Sequence, residues 1–141
     1  MEMNSSTCKA CRHEWPYPDH RLAEGRQTVT YLYEDQFFPG WTIVVLKRHA
    51  TELFELSREE RIQLLEEVTR TAKALAAAFR PVKINYELLG NQLPHIHWHV
   101  IPRLAHDPAP RDPVWTVRHD PKSLSASELR ERIELIQAHL R

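Results

Sequence analysis

The chain has 141 residues, of which 42% are hydrophobic and 27% charged, and this length and balance predict one globular domain with one core over residues 1–141. Lysine plus arginine equals aspartate plus glutamate at 19 each, and zero net charge argues against an extended nucleic-acid-binding surface. No apolar run reaches the roughly 18 residues of a membrane span, and the polar N-terminus lacks the apolar region of a signal peptide, so we expect a cytoplasmic protein without membrane contact.

The first part of the chain predicts an irregular segment followed by two strands. Residues 1–27 are polar, and Pro16 and Pro18 interrupt any regular element there. Residues 29–33 are mostly β-branched or aromatic and predict a short strand. The near-continuous apolar run at residues 41–46 predicts a central strand that is covered on both faces.

A long helix is predicted next. Ser57 and Glu60 form a capping box, in which each side chain satisfies a backbone donor of the other. Pro81 ends the helix, because its ring disrupts helical hydrogen bonding. Apolar side chains recur at helical spacing between these limits and predict one buried stripe, formed by Ile62, Leu65, Val68, Ala72, Leu75 and Phe79.

Two more strands follow this helix. Residues 82–89 predict the third strand and residues 96–101 the fourth, with a tight turn at Gly90-Asn91 between them. Pro102 is expected to end the fourth strand. The strands are predicted to be largely antiparallel.

The C-terminal part predicts a surface segment and a second helix. The prolines of residues 104–122 favour an extended segment. Ser125 and Glu128 form a second capping box, so residues 125–140 predict a C-terminal helix. Together the elements indicate an α+β fold, an antiparallel sheet of about four to five strands with a long helix and a C-terminal helix.

Three histidines alternate along the fourth predicted strand. Alternate side chains of a strand point to the same face, so His95, His97 and His99 are expected to share one face, while Ile96 and Trp98 enter the core. Clustered imidazoles resist protonation because like charges lower their pKa values, and neutral imidazole is the form that acts as a nucleophile or a metal ligand. A merely solvent-exposed face would mix threonine, lysine, glutamate and serine, so the pattern indicates a functional site.

Residues 95–101 read His-Ile-His-Trp-His-Val-Ile and resemble the signature of the histidine triad (HIT) family, His-φ-His-φ-His-φ-φ, where φ is an apolar residue. Pro102-Arg103 follows, which is also usual in the family. Upstream, residues 46–49 resemble the family's Pro-Lys-x-His segment, with leucine in place of the proline. The resemblance covers about residues 8–104 and implies a HIT-like fold in a family that is usually homodimeric.

The resemblance also implies a mechanism. His97 would attack the α-phosphorus of a nucleotide and form a covalent nucleotidyl-His97 intermediate, which water then cleaves. His99 would contact the phosphate and donate a proton to the leaving group. Asn91, followed by Gln92, stands near the family's Gly-Gln position and would donate an amide hydrogen to phosphate. The implied protein is a nucleotide hydrolase or nucleotidyl transferase acting on dinucleoside polyphosphates, nucleoside phosphoramidates or related nucleotidyl conjugates.

Other residues are expected near such a substrate. Glu34 and Asp35 are both candidates for the side chain that holds the ribose hydroxyls in the family, with an ordinary turn as the alternative. Arg103 ends the triad strand and is a candidate phosphate contact. Lys47 and Arg48 would either draw phosphates to the site or remain solvated surface charges.

A Cys-x-x-Cys pair near the N-terminus indicates a metal site, because in a reducing compartment such a pair more often binds metal or does redox work than forms a structural disulfide. A branch of the HIT family binds structural zinc through such a pair and two histidines. The resemblance therefore implies a tetrahedral Zn²⁺ site that pins residues 1–27 to the sheet, with the ligands Cys8, Cys11, His49 and His95. The alternatives are two free thiols, a redox pair, or His13 or His20 in place of His49.

Two other classes of function are compatible with the sequence. A nucleotide-binding or scaffold protein without significant catalysis would also keep the triad, and a covalent adduct would distinguish it from an enzyme. A small zinc protein that contacts other macromolecules would bind zinc but no nucleotide. Trp115, in the proline-rich segment, would close over a base or a partner chain, or pack in the ordinary way.

Overall fold

The computed structural model describes residues 4–140. Its five strands are β1 (Arg21–Glu24), β2 (Thr28–Leu32), β3 (Thr42–Leu46), β4 (Lys83–Glu87) and β5 (His97–Arg103). They form one antiparallel sheet in the order β1-β2-β3-β5-β4. The helices are α1 (Arg58–Phe79) and α2 (Ala126–Gln137), with short 3-10 helices at Pro18–His20, Leu53–Glu55 and Val114–Thr116. The α+β fold predicted from the sequence is confirmed.

Capping boxes begin both α-helices, as predicted. The Ser57 hydroxyl accepts the Glu60 N–H at 3.1 Å, and the Glu60 carboxylate accepts the Ser57 N–H at 2.7 Å. Ser125 and Glu128 make the same pair of hydrogen bonds, and each box satisfies backbone donors that helix geometry leaves unpaired. Within the part of the chain that the structure describes, no helix has the length and hydropathy of a membrane span.

The N-terminal region is more ordered than the predicted irregular segment over residues 1–27. β1 pairs with β2 as an edge strand, and its sequence shows no alternation because only Leu22 of its four residues is buried. The turn between β1 and β2 is fixed by Glu67 of α1, whose buried carboxylate accepts the N–H groups of Gln27 and Thr28. A contact between residues about forty positions apart leaves no local pattern in the sequence.

β5 also differs from its prediction, since it continues through Pro102 to Arg103. β3 pairs with β5 only as far as Thr42 opposite Val100. Beyond that point, β4 is the one strand of residues 4–140 that runs beside β5. The missing N–H of Pro102 therefore interrupts no hydrogen bond to β3, and the proline is tolerated.

The buried face of α1 is rotated from the predicted stripe. Ile62 and Leu65 are 52% and 56% exposed. The apolar residues of α1 that are buried against the sheet are Leu64, Val68, Ala72, Ala74 and Leu75.

Two apolar clusters cover opposite faces of the central strands. On one face Val44 packs against α1 and α2. On the other face Ile43 packs with Trp15 of the N-terminal segment and Val114 of the proline-rich segment. β3 pairs with β5 so that Ile43 lies opposite His99, which places the triad on this second face. The N-terminal segment and the proline-rich segment, and not the two α-helices, therefore cover this face of the sheet.

Candidate active site and metal centre

Four potential metal ligands meet where the N-terminal segment contacts the sheet. The ligand atoms of Cys8, Cys11, His49 and His95 all lie within 4.8 Å of one another. The Cys11 sulfur is 3.4 Å from His49 Nδ1 and 3.5 Å from His95 Nδ1, and the two Nδ1 atoms are 3.2 Å apart. A tetrahedral zinc ion at about 2.0–2.1 Å from nitrogen and about 2.3 Å from sulfur separates two nitrogens by about 3.3–3.4 Å and a nitrogen from a sulfur by about 3.6 Å. The spacing fits Zn²⁺.

His95 presents the ring nitrogen that a metal ion needs. Its Nε2 lies 2.6 Å from the Leu46 carbonyl oxygen, so Nε2 carries the proton and donates it, and Nδ1 keeps a free lone pair. A backbone acceptor on the far nitrogen is a usual way to orient a metal-binding histidine. Burial lowers the pKa of His95, which keeps the ring neutral and able to coordinate.

The two thiols complete a donor set that suits a cation. Burial and the neighbouring Cys8 raise the pKa of Cys11 to about 11, so a bound metal ion is what would favour the thiolate form. The two alternative histidines are not part of the cluster. His20 Nδ1 instead lies 3.1 Å from the Leu32 carbonyl oxygen. Among residues 4–140, the side chains that meet at this cluster do not include His13.

His97 is oriented by the backbone. Its Nδ1 lies 2.6 Å from the His95 carbonyl oxygen, so Nδ1 carries the proton and Nε2 carries the free lone pair. Burial lowers the pKa of His97, and the ring is therefore neutral at physiological pH. Trp15 meets this ring edge-on, with centroids 5.2 Å apart.

His99 is oriented by a tryptophan. Its Nδ1 accepts the Trp41 indole N–H at 3.0 Å, which leaves the proton of the neutral ring on Nε2. Burial, and then the charge of His97, lower the pKa of His99 to about 3. Within this site His99 is a neutral hydrogen-bond donor through Nε2.

A cavity of about 490 Å³ opens in front of His97 and His99, within the usual size range of small-molecule sites. Its walls come from the N-terminal segment, the turn after β2, the β4–β5 loop and the proline-rich segment. The lining residues are Thr7, Lys9, Trp15, Tyr33, Glu34, Leu89, Gly90, Asn91, Gln92, Leu93, His97, His99 and Trp115. Asn91 and Gln92 thus lie at the same cavity as the triad.

A model of the HIT domain family matches residues 17–106. The chain belongs to the HIT family. The protein hit of Bacillus subtilis is 29% identical over 91 residues, which are 61% of this chain and 63% of that protein, just under two thirds of its length. The adenosine 5'-monophosphoramidase hnt1 of Schizosaccharomyces pombe is 28% identical over 102 residues, which are 72% of this chain and 75% of that protein.

Solved HIT structures share the fold. A histidine triad protein from Marinobacter aquaeolei VT8 has a TM-score of 0.78 and 30% identity, covering 86% of this chain and 88% of that one. A Zn-bound histidine triad family protein from Mycobacterium smegmatis has a TM-score of 0.71 and 24% identity, covering 97% of this chain and 95% of that one. The recognition of a HIT domain from the triad motif is confirmed, and the four-residue cluster of this HIT domain can hold a metal ion.

Of the two ribose candidates, Glu34 lines the cavity of this HIT domain and Asp35 does not. Glu34 Oε1 accepts the Trp15 indole N–H at 3.3 Å, and Glu34 Oε2 is buried without a hydrogen bond from residues 4–140. Asp35 accepts bonds from His119 Nε2 at 2.7 Å and from the Lys122 N–H at 2.9 Å. Contrary to the expectation of a ribose contact, Asp35 anchors the proline-rich segment.

Arg103 also has a different role from the predicted phosphate contact. All five of its N–H groups donate within the protein, two of them to the Asp107 carboxylate at 2.6 and 2.9 Å. The others reach Asn85 Oδ1 and the carbonyl oxygens of Ala109 and Asp112. The side chain is 2% exposed, and it stabilises the start of the proline-rich segment with no donor left for a phosphate.

Lys47 and Arg48 pair with carboxylates away from the cavity. Lys47 Nζ lies 3.1 Å from Glu24, and Arg48 lies 3.0 Å from Glu60. Both pairs are partly exposed, so they are surface ion pairs, the alternative that the sequence left open.

The residues of the site that sequence reasoning missed include Lys9, Trp15 and Trp41. Trp41 begins the apolar run of the central strand, where a core residue is expected, and Lys9 and Trp15 lie in the segment predicted to be irregular. No local pattern distinguishes them. Trp115 lines the cavity, and its indole N–H donates to Glu87 at 2.7 Å, which favours a wall of the site over ordinary packing.

Proposed function

We propose that this HIT domain cleaves nucleotidyl conjugates at the α-phosphate through a covalent nucleotidyl-His97 intermediate, as a hydrolase or nucleotidyl transferase. The observation that carries the proposal is the orientation of His97. Its Nδ1 proton is committed to the His95 carbonyl, so the nucleophilic Nε2 is the nitrogen left for a ligand in a cavity of nucleotide size. The substrates belong to the class of dinucleoside polyphosphates, nucleoside phosphoramidates or related conjugates.

The first step forms the intermediate. His97 Nε2 attacks the α-phosphorus, a P–N bond forms, and the bond from phosphorus to the leaving group breaks. A phosphate or polyphosphate departs as an anion with the electron pair of that bond, whereas an amine leaving group also takes a proton from solvent. The imidazole becomes positively charged, and the His95 carbonyl at 2.6 Å from Nδ1 stabilises that charge.

His99 binds phosphate in this mechanism. With a pKa of about 3 it carries no extra proton at neutral pH, and the Trp41 N–H occupies its Nδ1 lone pair. The Nε2–H group is then a hydrogen-bond donor to a phosphate oxygen rather than a general acid. His99 therefore keeps the phosphate contact that the family resemblance implies. In this proposal it does not donate a proton to the leaving group.

The second step releases the nucleotide. Water attacks the phosphorus of nucleotidyl-His97, the P–N bond breaks, and its electron pair returns to Nε2. The water proton passes to solvent, and nucleoside monophosphate leaves. Transfer to another acceptor uses the same intermediate, with the acceptor hydroxyl in place of water.

Three further residues are assigned to substrate binding. The amides of Asn91 and Gln92 line the cavity beside the triad and are suited to donate to phosphate oxygens. Glu34 Oε2, which accepts no hydrogen bond from residues 4–140, is suited to accept from a ribose hydroxyl, because a buried carboxylate oxygen is costly to leave unpaired.

We assign structural Zn²⁺ to the ligands Cys8, Cys11, His49 and His95. Four protein ligands leave no open coordination position, so the ion would stabilise the fold and take no part in phosphoryl transfer. Its contribution would be to fix the N-terminal segment, and with it the wall of the cavity that contains Trp15.

A homodimer in the cytoplasm is also proposed. β4 is an outer strand of the sheet, and the exposed apolar residues Val82, Tyr86, Ile62 and Leu65 lie on or beside β4 and on α1, a distribution that favours contact with a second copy. Sedimentation velocity should give a dimer, and replacement of Ile62 and Leu65 by glutamate should give a monomer. A monomeric parent protein would contradict the proposal.

The mechanism is tested with His97→Asn, using His139→Asn on the surface as the matched control. A screen of diadenosine polyphosphates and adenosine phosphoramidate should show AMP release by the parent and the control, and a loss of at least about 10³-fold for His97→Asn. Circular dichroism should show that the variant stays folded.

The covalent intermediate is tested by acid quenching and intact mass spectrometry during turnover. We expect a mass increase of one AMP unit that is absent in His97→Asn. Nucleotide binding with neither turnover nor adduct would instead support a binding protein without catalysis.

A further inference from the structure

The cavity in front of the triad has few fixed charges. Its lining residues include one carboxylate, Glu34. Lys9 is the one lysine or arginine among the lining residues within 4–140. A nucleotide with several phosphates brings multiple negative charges into this space. Binding such a ligand in a partly dehydrated cavity requires positive charge nearby.

The other basic residues that the sequence offered as phosphate contacts are committed elsewhere. Arg103 uses its five donors within the protein, and Lys47 and Arg48 have carboxylate partners. Lys9, in contrast, makes no ion pair within the described part of the chain. Lys9 is therefore the basic residue lining this cavity whose ammonium group has no carboxylate partner among residues 4–140.

The backbone of Lys9 is fixed relative to the nucleophile. The Lys9 carbonyl oxygen accepts the N–H groups of Glu14 at 2.9 Å and Trp15 at 3.4 Å. The Trp15 ring in turn contacts His97 with centroids 5.2 Å apart. Lys9 also directly follows Cys8, so the metal centre restrains the same stretch of chain.

We infer that Lys9 binds the negative charge beyond the α-phosphate and thereby selects substrates whose leaving group is a phosphate or polyphosphate. The inference rests on the proposed function and deepens it. The leaving group departs with the electron pair of the broken P–O bond, and Lys9 pairs with the anion so formed. A nucleoside phosphoramidate, whose leaving group is an amine, offers no such charge.

The properties of His99 agree with this preference. Burial lowers its pKa to about 3, and the Trp41 N–H occupies Nδ1, so the ring is a poor source of a proton. An amine leaving group needs a proton, whereas a polyphosphate leaves as an anion.

The experiment measures binding, so that it does not depend on turnover. In the His97→Asn background and magnesium-free buffer, the dissociation constants of AMP and ADP are compared by calorimetry. We expect ADP to bind more tightly than AMP. Lys9→Met should weaken ADP binding about tenfold and change AMP binding less than twofold. Lys9→Arg should restore ADP binding, and Lys73→Met, which removes an exposed lysine of α1, should change neither constant.

The outcomes distinguish a failure of the role of Lys9 from a failure of the proposed function. If AMP and ADP bind the parent, but Lys9→Met weakens both equally or neither, the role of Lys9 is refuted while the proposed function stands. If Lys9→Arg fails to restore ADP binding, the effect is not one of charge and the inference is also refuted. If neither nucleotide binds, the proposed function fails and the role of Lys9 fails with it.

Discussion

His97 begins β5 and His95 lies two residues before it, yet the two rings present opposite nitrogens to their surroundings. The His95 proton is on Nε2, bound to the Leu46 carbonyl, so Nδ1 faces the cysteines. The His97 proton is on Nδ1, bound to the His95 carbonyl, so Nε2 is free. The position of one backbone acceptor therefore determines which ring nitrogen keeps its lone pair, and with it whether that lone pair faces the cysteines or is left for a ligand.

Two contacts also join the metal centre to His97. The His95 ring belongs to the metal centre, while its carbonyl orients His97. Trp15 follows the cysteine pair and contacts His97. We therefore expect loss of the metal centre to disturb the position of His97, and substitution of His97 or His99 to leave the metal ligands in place.

The largest effect is expected from Cys8→Ser. Loss of one thiolate should remove bound zinc and lower the melting temperature by about 10 °C or more, because metal binding contributes directly to folding. The measurements are elemental analysis and calorimetry. His13→Asn is the matched control, since His13 is exposed, is no ligand of the cluster, and has a positive φ of 57° that asparagine tolerates.

Zinc content and activity should respond differently to substitutions in the metal centre and in the triad. His97→Asn should retain the full zinc content, whereas Cys8→Ser should also lose activity. A zinc-free parent protein, or zinc retained by Cys8→Ser, would refute the metal centre. Zinc lost from His97→Asn would show that the coupling runs in both directions.

The next largest effect is expected from Arg103→Met, at the end of β5, the strand that begins with His97. Removing this guanidinium leaves the buried Asp107 carboxylate without its partner, which should reduce the free energy of unfolding by about 3–5 kcal/mol. Urea denaturation measures the change. Arg48→Met, which breaks an exposed pair with Glu60, should cost about 0–1 kcal/mol. A large rise in KM with unchanged stability would instead restore the phosphate contact expected from the sequence.

The parts of the site that the sequence predicted are those with a local pattern. Alternation along a strand is a property of backbone geometry, so the shared face of His97 and His99 could be inferred from their spacing. The four metal ligands came from a short motif and a family resemblance, and the structure brings the same four side chains together. Capping boxes were equally local.

The parts that were missed depend on which segments cover the sheet. The partner of His99 lies 58 positions away, at Trp41, and the sequence does not show which ring nitrogen it will contact. The burial of Arg103 depends on the path of the proline-rich segment, which supplies Asp107. Long-range packing of irregular segments has no periodicity, so these contacts appear only in three dimensions.

Acid should lower the free energy of unfolding through His99. Its pKa is about 3 in the folded protein against an ordinary 6.5, so between these values the unfolded chain binds more protons and stability falls as the pH falls. At pH 5 the loss relative to neutral pH is about 2 kcal/mol. Urea denaturation at pH 7 and pH 5 should show a smaller loss for His99→Gln than for the parent. An equal loss in both proteins would contradict a neutral, buried His99.

The smallest effect is expected from a variant that removes a single hydrogen-bond donor. Trp41→Phe removes the N–H that fixes the His99 proton on Nε2, and one hydrogen bond of about 1–1.5 kcal/mol should lower kcat about tenfold. The acid limb of the pH–rate profile should also move to higher pH, since Nδ1 becomes free to accept a proton. Trp98→Phe is the matched control, because the buried Trp98 N–H makes no hydrogen bond within residues 4–140. If both variants lower kcat equally with unchanged pH profiles, packing and not the proton position explains the loss, and Trp41 has no role in orienting His99.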